Sequence, residues 1–142
     1  MNRRGSLLVT PTSAEAIGLG DRPVRFEDFV LVDELFRSNT GIVWKARVDM
    51  TGEVVVLKER FASELGSGED VVHEAKLLQS LDSPHVINCY GYFYRRESRS
   101  VYIVLEYAEG GDLYRLIQRR RRRGRHFTEA ELWALFLQVC RG

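Results

Sequence analysis

The chain has 142 residues, enough for one domain of ordinary size or part of a larger one. Apolar residues make up 44% of it, enough for a core, and a formal net charge of +1 removes any global charge argument for nucleic acid or membrane. The two cysteines, Cys89 and Cys140, have neither metal-type nor redox-type spacing, and their apolar neighbours point to reduced, buried thiols rather than a disulfide framework.

Near the N-terminus only Leu7, Leu8 and Val9 form an apolar run before Thr10-Pro11 breaks it, too short for a signal segment. No run approaches the ~18 apolar residues of a membrane span. A soluble intracellular protein is expected. Residues 1–25 are rich in Ser, Thr, Gly, Pro and Arg without sustained periodicity, and the expectation is a mostly disordered extension. Arg3-Arg4-Gly5-Ser6 and Thr10-Pro11 would suit basophilic and proline-directed kinases as substrates, but a solvated tail explains both.

From Phe26 the character changes. Segments 29–36, 42–48 and 53–61 are strand-like runs rich in Val, Leu and Phe, with Asp49-Met50-Thr51-Gly52 as the turn between the second and third. A helix is expected over 68–81, stopped by Asp82-Ser83-Pro84. Two more strands, 86–94 and 101–107, are joined by the polar loop Arg95-Arg96-Glu97-Ser98-Arg99. Glu109-Gly110-Gly111-Asp112 opens a helix over 113–120, and an arginine-rich loop runs to His126. The last helix has the clearest start: Thr128 caps it, Glu131 completes a capping box, and Phe127 and Leu132 are spaced as a hydrophobic staple. Five antiparallel strands carrying one helix, followed by helices, make an α+β arrangement.

Several residues ask for a chemical reason. Lys58 ends the apolar run Val54-Val55-Val56-Leu57, on the same strand face as Val56. It either points to water at the strand end or has an anionic partner, because a buried ammonium is expensive without one. Glu74 shares a helix face with Val71, Ala75 and Leu78, so it either lies at the rim or needs a cation, and Lys58 is the nearest candidate. The turn Arg37-Ser38-Asn39-Thr40-Gly41 could fold over phosphates with its backbone N–H groups, or be an ordinary hairpin, which its single glycine favours. Arg119, Arg120, Arg121, Arg122 and Arg123, with Arg125, form a dense positive run. It reads as a solvated helix end favoured by the helix dipole, or as a contact for an acidic partner; the lack of interleaved aromatics argues against nucleic acid. His73, His85 and His126 have no metal-ligand spacing and read as structural.

Taken in order, these segments resemble a eukaryotic protein kinase. Val55-Val56-Leu57-Lys58 matches the family's Val-Ala-Ile-Lys strand. Sixteen positions on, Glu74 begins Glu-Ala-Lys-Leu-Leu-Gln-Ser-Leu-Asp-Ser-Pro-His-Val, which resembles helix αC and the segment after it. Val101-Tyr102-Ile103-Val104-Leu105-Glu106-Tyr107-Ala108-Glu109-Gly110-Gly111-Asp112-Leu113 resembles the fifth strand, hinge and next helix, and its ending is most like NIMA-related serine/threonine kinases. The resemblance implies a partial kinase domain over 26–142: a small lobe over 26–108 (five-stranded antiparallel sheet plus helix αC), then the hinge and first helices of a truncated large lobe over 109–142. It implies an ATP-binding portion of an enzyme that transfers the γ-phosphoryl group to protein serine or threonine. Lys58 would contact the α- and β-phosphates and pair with Glu74. Leu35, Val43 and Val56 would line the adenine, Leu105 would be the gatekeeper, backbone groups of Glu106 and Ala108 would bond the adenine edge, and Asp112 would lie near the ribose. A cytoplasmic, cytoskeleton-associated location goes with the NIMA-like subfamily.

The sequence also departs from the family pattern. Phe36 and Ser38 stand at the first and second glycine positions of the phosphate loop, and only Gly41 remains, which predicts weakened nucleotide binding. No His-Arg-Asp or Asp-Phe-Gly follows, so the proton-accepting aspartate and the Mg2+ ligands of such an enzyme are not among these residues, and this chain by itself is expected to be inactive. The final helix, apolar nearly all round through Leu132, Trp133, Leu135, Phe136, Leu137, Val139 and Cys140, reads as a piece of a larger lobe and points to a fragment. Two other readings stay open: a pseudokinase-like binding module without chemistry, and an unrelated α+β interaction domain using the arginine run.

Overall fold

The computed structural model describes residues 17–20, 23–61 and 69–142. After a short 3-10 turn at Phe26–Asp28, three strands run in succession: β1 (Phe29–Arg37), β2 (Gly41–Val48) and β3 (Val54–Phe61). Helix α1 (Glu69–Ser80) follows, then β4 (Cys89–Arg95), β5 (Ser100–Glu106), α2 (Leu113–Arg122) and α3 (Glu129–Arg141). The five strands form one antiparallel sheet in the order β1-β2-β3-β5-β4. Every strand and helix expected from the sequence is present, with ends shifted by a few residues. The largest shift is at β4, which begins at Cys89 rather than 86.

Strand alternation divides the sheet's side chains between two faces. Along β3 and β5 the cross-strand pairs Leu57↔Val104 and Glu59↔Tyr102 share one face, while Val56↔Leu105, Lys58↔Ile103 and Arg60↔Val101 share the other. Helix α1 covers the second face. Its Val71 and Ala75 pack in a buried cluster with Cys89, Tyr92, Val101 and Ile103, with Leu78 and Leu105 beside it. These helix residues are the expected apolar stripe, spaced three and four apart.

The opposite face is covered by the chain's own N-terminal segment. Ile17, Leu19 and Val24 are buried against Ala46, Val48, Val55, Leu57, Phe93 and Val104. An aromatic row completes the layer: Phe29 stacks on Phe93 at 5.9 Å, Phe93 on Tyr102 at 5.1 Å, and Phe26 meets Tyr102 at 5.4 Å. The Arg95 guanidinium lies over the Phe26 ring. The expectation of a disordered extension therefore fails at 17–20 and 23–25. Three widely spaced apolar residues leave no periodic signal, yet each fills a site on a sheet face that would otherwise be wet. Residues 1–16 and 21–22 lie outside the described residues, as do the kinase-substrate patterns in the former.

The turn 49–52 forms as expected. Gly52 has φ +75° and donates its N–H to the Val48 carbonyl at 2.8 Å, a conformation that glycine adopts without a Cβ penalty.

The chain divides into two compact units. Asn88–Tyr107 and the described residues up to Leu81 form the first, and Asp82–Ile87 with Ala108–Gly142 form the second. Segment 82–87 joins the second unit, where Ser83 Oγ donates to the Arg141 carbonyl at 3.4 Å. Within that unit Asp112 caps α2 by accepting from Arg115 N at 2.6 Å, and the capping box of α3 is complete: Thr128 Oγ1 accepts from Glu131 N, and Glu131 accepts from Thr128 N at 2.8 Å. The reading of both cysteines as buried holds for Cys89 and fails for Cys140, which is exposed on α3 along with most of that helix's apolar residues. No helix among the described residues is long and apolar enough to cross a membrane.

Candidate functional site

The sheet face that α1 covers carries the candidate site. Lys58 Nζ donates to Glu74 Oε1 at 2.6 Å, joining β3 to α1. The two side chains are 30% and 38% exposed. An ion pair this open contributes only about 0–1 kcal/mol to stability, so stability alone gives little reason for it. What the pair does achieve is position: it holds an ammonium at one place on the inner face, facing solvent on one side. Both open readings of the sequence, lysine to water or carboxylate at the rim, give way to direct contact.

Of the other expected residues of the first unit, Val43 and Val56 share the sheet face of Lys58. Val43 on β2 is directly opposite Lys58, and Leu105 on β5 is directly opposite Val56. All four are half-buried. Leu35 sits at the irregularity in β1 between Glu34 and Phe36, where two residues of one strand face one of the next. Glu106 ends β5. Its N–H donates to the Asn88 carbonyl at 2.9 Å and its carboxylate accepts from Asn88 N at 3.1 Å, which ties the strand's end to the start of β4. Ala108 and Asp112 belong to the second unit, and there the Asp112 carboxylate is engaged as the α2 cap.

The turn between β1 and β2 is closed upon itself. Ser38 N donates to the Gly41 carbonyl at 2.9 Å, Thr40 N donates to Ser38 Oγ at 3.3 Å, and the Ser38 and Thr40 hydroxyls are 3.1 Å apart. Two backbone N–H groups that such a turn might present to an anion are thus already satisfied. Phe36 is 63% exposed beside it. Gly41 is required for a different reason: a Cβ there would fall on the Glu59 carbonyl oxygen of β3. The geometry is that of a tight hairpin, the simpler of the two readings.

A second polar group lies on the opposite face and was not singled out from sequence. Glu59 is only 6% exposed, and its carboxylate accepts from Trp44 Nε1 at 3.0 Å and from the Tyr102 hydroxyl at 2.7 Å. Burial, and then the Glu59 hydrogen bond, push the Tyr102 phenol up to about 12. Its signal was available: alternation puts Glu59 on the Val55 and Leu57 face, where a carboxylate must find donors. Burial likewise raises the Cys89 thiol, which is packed under α1 and donates to the Gly91 carbonyl.

In the second unit the arginine run is partly committed. Arg120 forms a two-bonded pair with Glu131 at 2.6 and 2.7 Å and lies over the Phe127 ring at 4.1 Å, while Arg119 reaches the Gly110 carbonyl at 3.5 Å. The remaining arginines of α2 are exposed. Among the described residues no group of three or more His, Cys, Asp or Glu could hold a metal ion. The described residues thus bring together no such cluster for Mg2+.

The sequence is similar to those of known proteins. The protein kinase domain family matches residues 29–142. The chain is 35% identical over 95 residues to serine/threonine-protein kinase Aurora-1 of Arabidopsis thaliana, covering 65% of this chain and 32% of that protein. It is 33% identical to Aurora-2 of the same plant, covering 65% and 33%, and 27% identical over 115 residues to the probable serine/threonine-protein kinase nek2 of Dictyostelium discoideum, covering 80% and 28%. The matches span about a third of each relative's length. With a lysine–glutamate pair bridging a five-stranded sheet and its one helix, and a family match over most of its length, the chain belongs to the protein kinase family.

Proposed function

We propose that this chain is the ATP-binding portion of a serine/threonine protein kinase of the NIMA-related type, whose parent transfers the γ-phosphoryl group of ATP to protein serine or threonine. The observation that carries the reading is the 2.6 Å contact of Lys58 with Glu74 on the inner sheet face. A held ammonium of this kind can meet the α- and β-phosphates of a nucleotide, and little else in the unit calls for it. Val43, Val56 and Leu105 supply an apolar surface beside it for an adenine ring, the usual make-up of a nucleotide site. The likeness to Aurora and nek2 proteins supports the serine/threonine class, and the Gly110-Gly111-Asp112-Leu113 ending favours the NIMA-like branch, with a cytoplasmic, cytoskeleton-associated location.

A polypeptide of these 142 residues is proposed to bind nucleotide without transferring phosphate, because it contains no His-Arg-Asp or Asp-Phe-Gly segment. The self-bonded turn at Ser38 and Thr40 favours a second reading, a pseudokinase-like module that engages ATP weakly or docks a partner. Thermal-shift titration with ATP, with and without Mg2+, on the wild type and Lys58→Met decides between them. The leading reading expects a saturable rise in melting temperature that Lys58→Met abolishes. A well-folded wild type with no shift would leave the binding-module reading standing.

A further inference from the structure

We propose that Arg60 is a second phosphate-contacting residue, taking the outer phosphates of the nucleotide where the β1–β2 turn does not. The inference rests on the reading of Lys58 as a nucleotide contact. Val56, Lys58 and Arg60 follow one another on the same face of β3, paired across to Leu105, Ile103 and Val101. Residues two apart on a strand are about 7 Å apart, so a phosphate chain that begins at Lys58 and runs toward the turn comes within reach of a guanidinium at position 60.

Among the described residues Arg60 has no anion for its charge. It is half-buried and stands directly opposite Gly41, whose missing side chain lets the arginine lie across β2 toward the turn. Nη1 is 3.5 Å from Thr40 Oγ1, the outer limit of a hydrogen bond, and buried Nε has no hydrogen-bond partner among the described residues. Among the described residues no carboxylate lies within ion-pair distance of it, whereas Lys58, on the same face, has Glu74. A partly buried guanidinium with an orphaned N–H is costly unless an anion completes it.

The turn itself explains why a side chain would be needed. Glycine-rich phosphate loops bind through free backbone N–H groups. Here Ser38 N and Thr40 N are spent within the turn, and Phe36 and Ser38 carry side chains where the backbone would have to approach. A planar guanidinium, with its fork of donors matched to two phosphate oxygens, supplies what the turn withholds. The Ser38 and Thr40 hydroxyls are engaged within the turn as well, Ser38 Oγ with the Gly41 carbonyl at 3.3 Å and the two hydroxyls with each other at 3.1 Å.

The test compares ATP, ADP and adenosine binding by calorimetry on the 142-residue chain, using wild type, Arg60→Met, Arg60→Lys and Lys58→Met. The expected result is an about tenfold loss of ATP affinity in Arg60→Met, equivalent to one charge-assisted hydrogen-bonded contact, with a smaller loss for ADP and none for adenosine. Arg60→Lys keeps the charge but not the fork, so it should recover only part of the loss, and it gives the same reading if the methionine variant does not fold. An Arg60→Met chain with the wild-type ratio of ATP to adenosine affinity would overturn the inference while Lys58→Met still abolished binding. A folded wild type that binds no ATP at all would overturn it together with the reading it rests on.

Discussion

Phe93, Ile103 and Val104 in the first unit are almost wholly buried, whereas Trp133, Phe136 and Val139 on α3 in the second are 55%, 57% and 76% exposed. Both segments are apolar in sequence, and both form the secondary structure their patterns predict. The difference is in what covers them. Each face of the sheet has its own cover, α1 on one side and Ile17, Leu19, Val24 and Phe26 on the other, so the central strands bury apolar side chains on both faces. Helix α3 is held at its start by a capping box and the Arg120–Glu131 pair, which are local devices, and its apolar sides meet little among the described residues. Caps and ion pairs therefore suffice to define a helix, but they do not by themselves create a core.

The sharpest way to break this comparison is to remove the cover. A chain beginning at Phe26 loses Ile17, Leu19 and Val24, and at about 1.5–3 kcal/mol for each buried side chain the expected loss is on the order of 5 kcal/mol. Urea denaturation should show the midpoint collapsing. An unchanged midpoint would mean that the N-terminal segment lies on the sheet without stabilising it.

A smaller but more pointed contrast comes from truncating one aromatic in each unit. Phe93→Ala removes a ring stacked between Phe29 and Tyr102 and should cost about 3–5 kcal/mol. Phe136→Ala, on the exposed side of α3, should stay within about 0.5 kcal/mol. Equal losses in equilibrium unfolding of the two variants would show that α3 is covered after all in solution.

The least effect is expected from pH, and it should act on the two units at opposite ends of the scale. The Tyr102 phenol, raised to about 12 by burial and by Glu59, titrates near 10 in an unfolded chain. Its contribution is whole below pH ~10 and is lost as pH rises toward the folded value. The hydrogen bond from Arg120, then that from the Thr128 backbone, hold the Glu131 carboxyl down at about 2 from its ordinary 4.5. Its contribution is whole above the ordinary value and is lost as pH falls through the depressed one. An NMR titration of the Glu131 carboxyl should give that low midpoint, and Arg120→Met should move it part of the way back. A midpoint near 4.5 in the wild type would remove the pair as a link between α2 and α3.

The contact between Lys58 and Glu74 was legible beforehand. Lys58 at the end of an apolar strand and Glu74 on an apolar helix face each posed a problem that the other solved, and the contact between them is now direct. The turn at Ser38 forms the hairpin that its single glycine favoured, although the sequence did not show that Ser38 Oγ would occupy the Thr40 N–H. Glu59 and Arg60 were passed over because a strand pattern assigns faces without saying what waits on each: only the pairing of β3 with β2 and β5 puts Trp44 and Tyr102 around one and an empty Gly41 opposite the other.

By itself, then, the sequence determined the order and kind of elements, the cap of α3, and the family, because these depend on local periodicity and on motifs in a fixed order. Tertiary structure alone decided that Ile17, Leu19 and Val24 are part of the core, that Cys89 is buried and Cys140 is not, and what surrounds Glu59 and Arg60 on β3. Burial is a property of contacts between residues far apart in the chain, and three scattered apolar side chains carry no local trace of the sheet face that receives them.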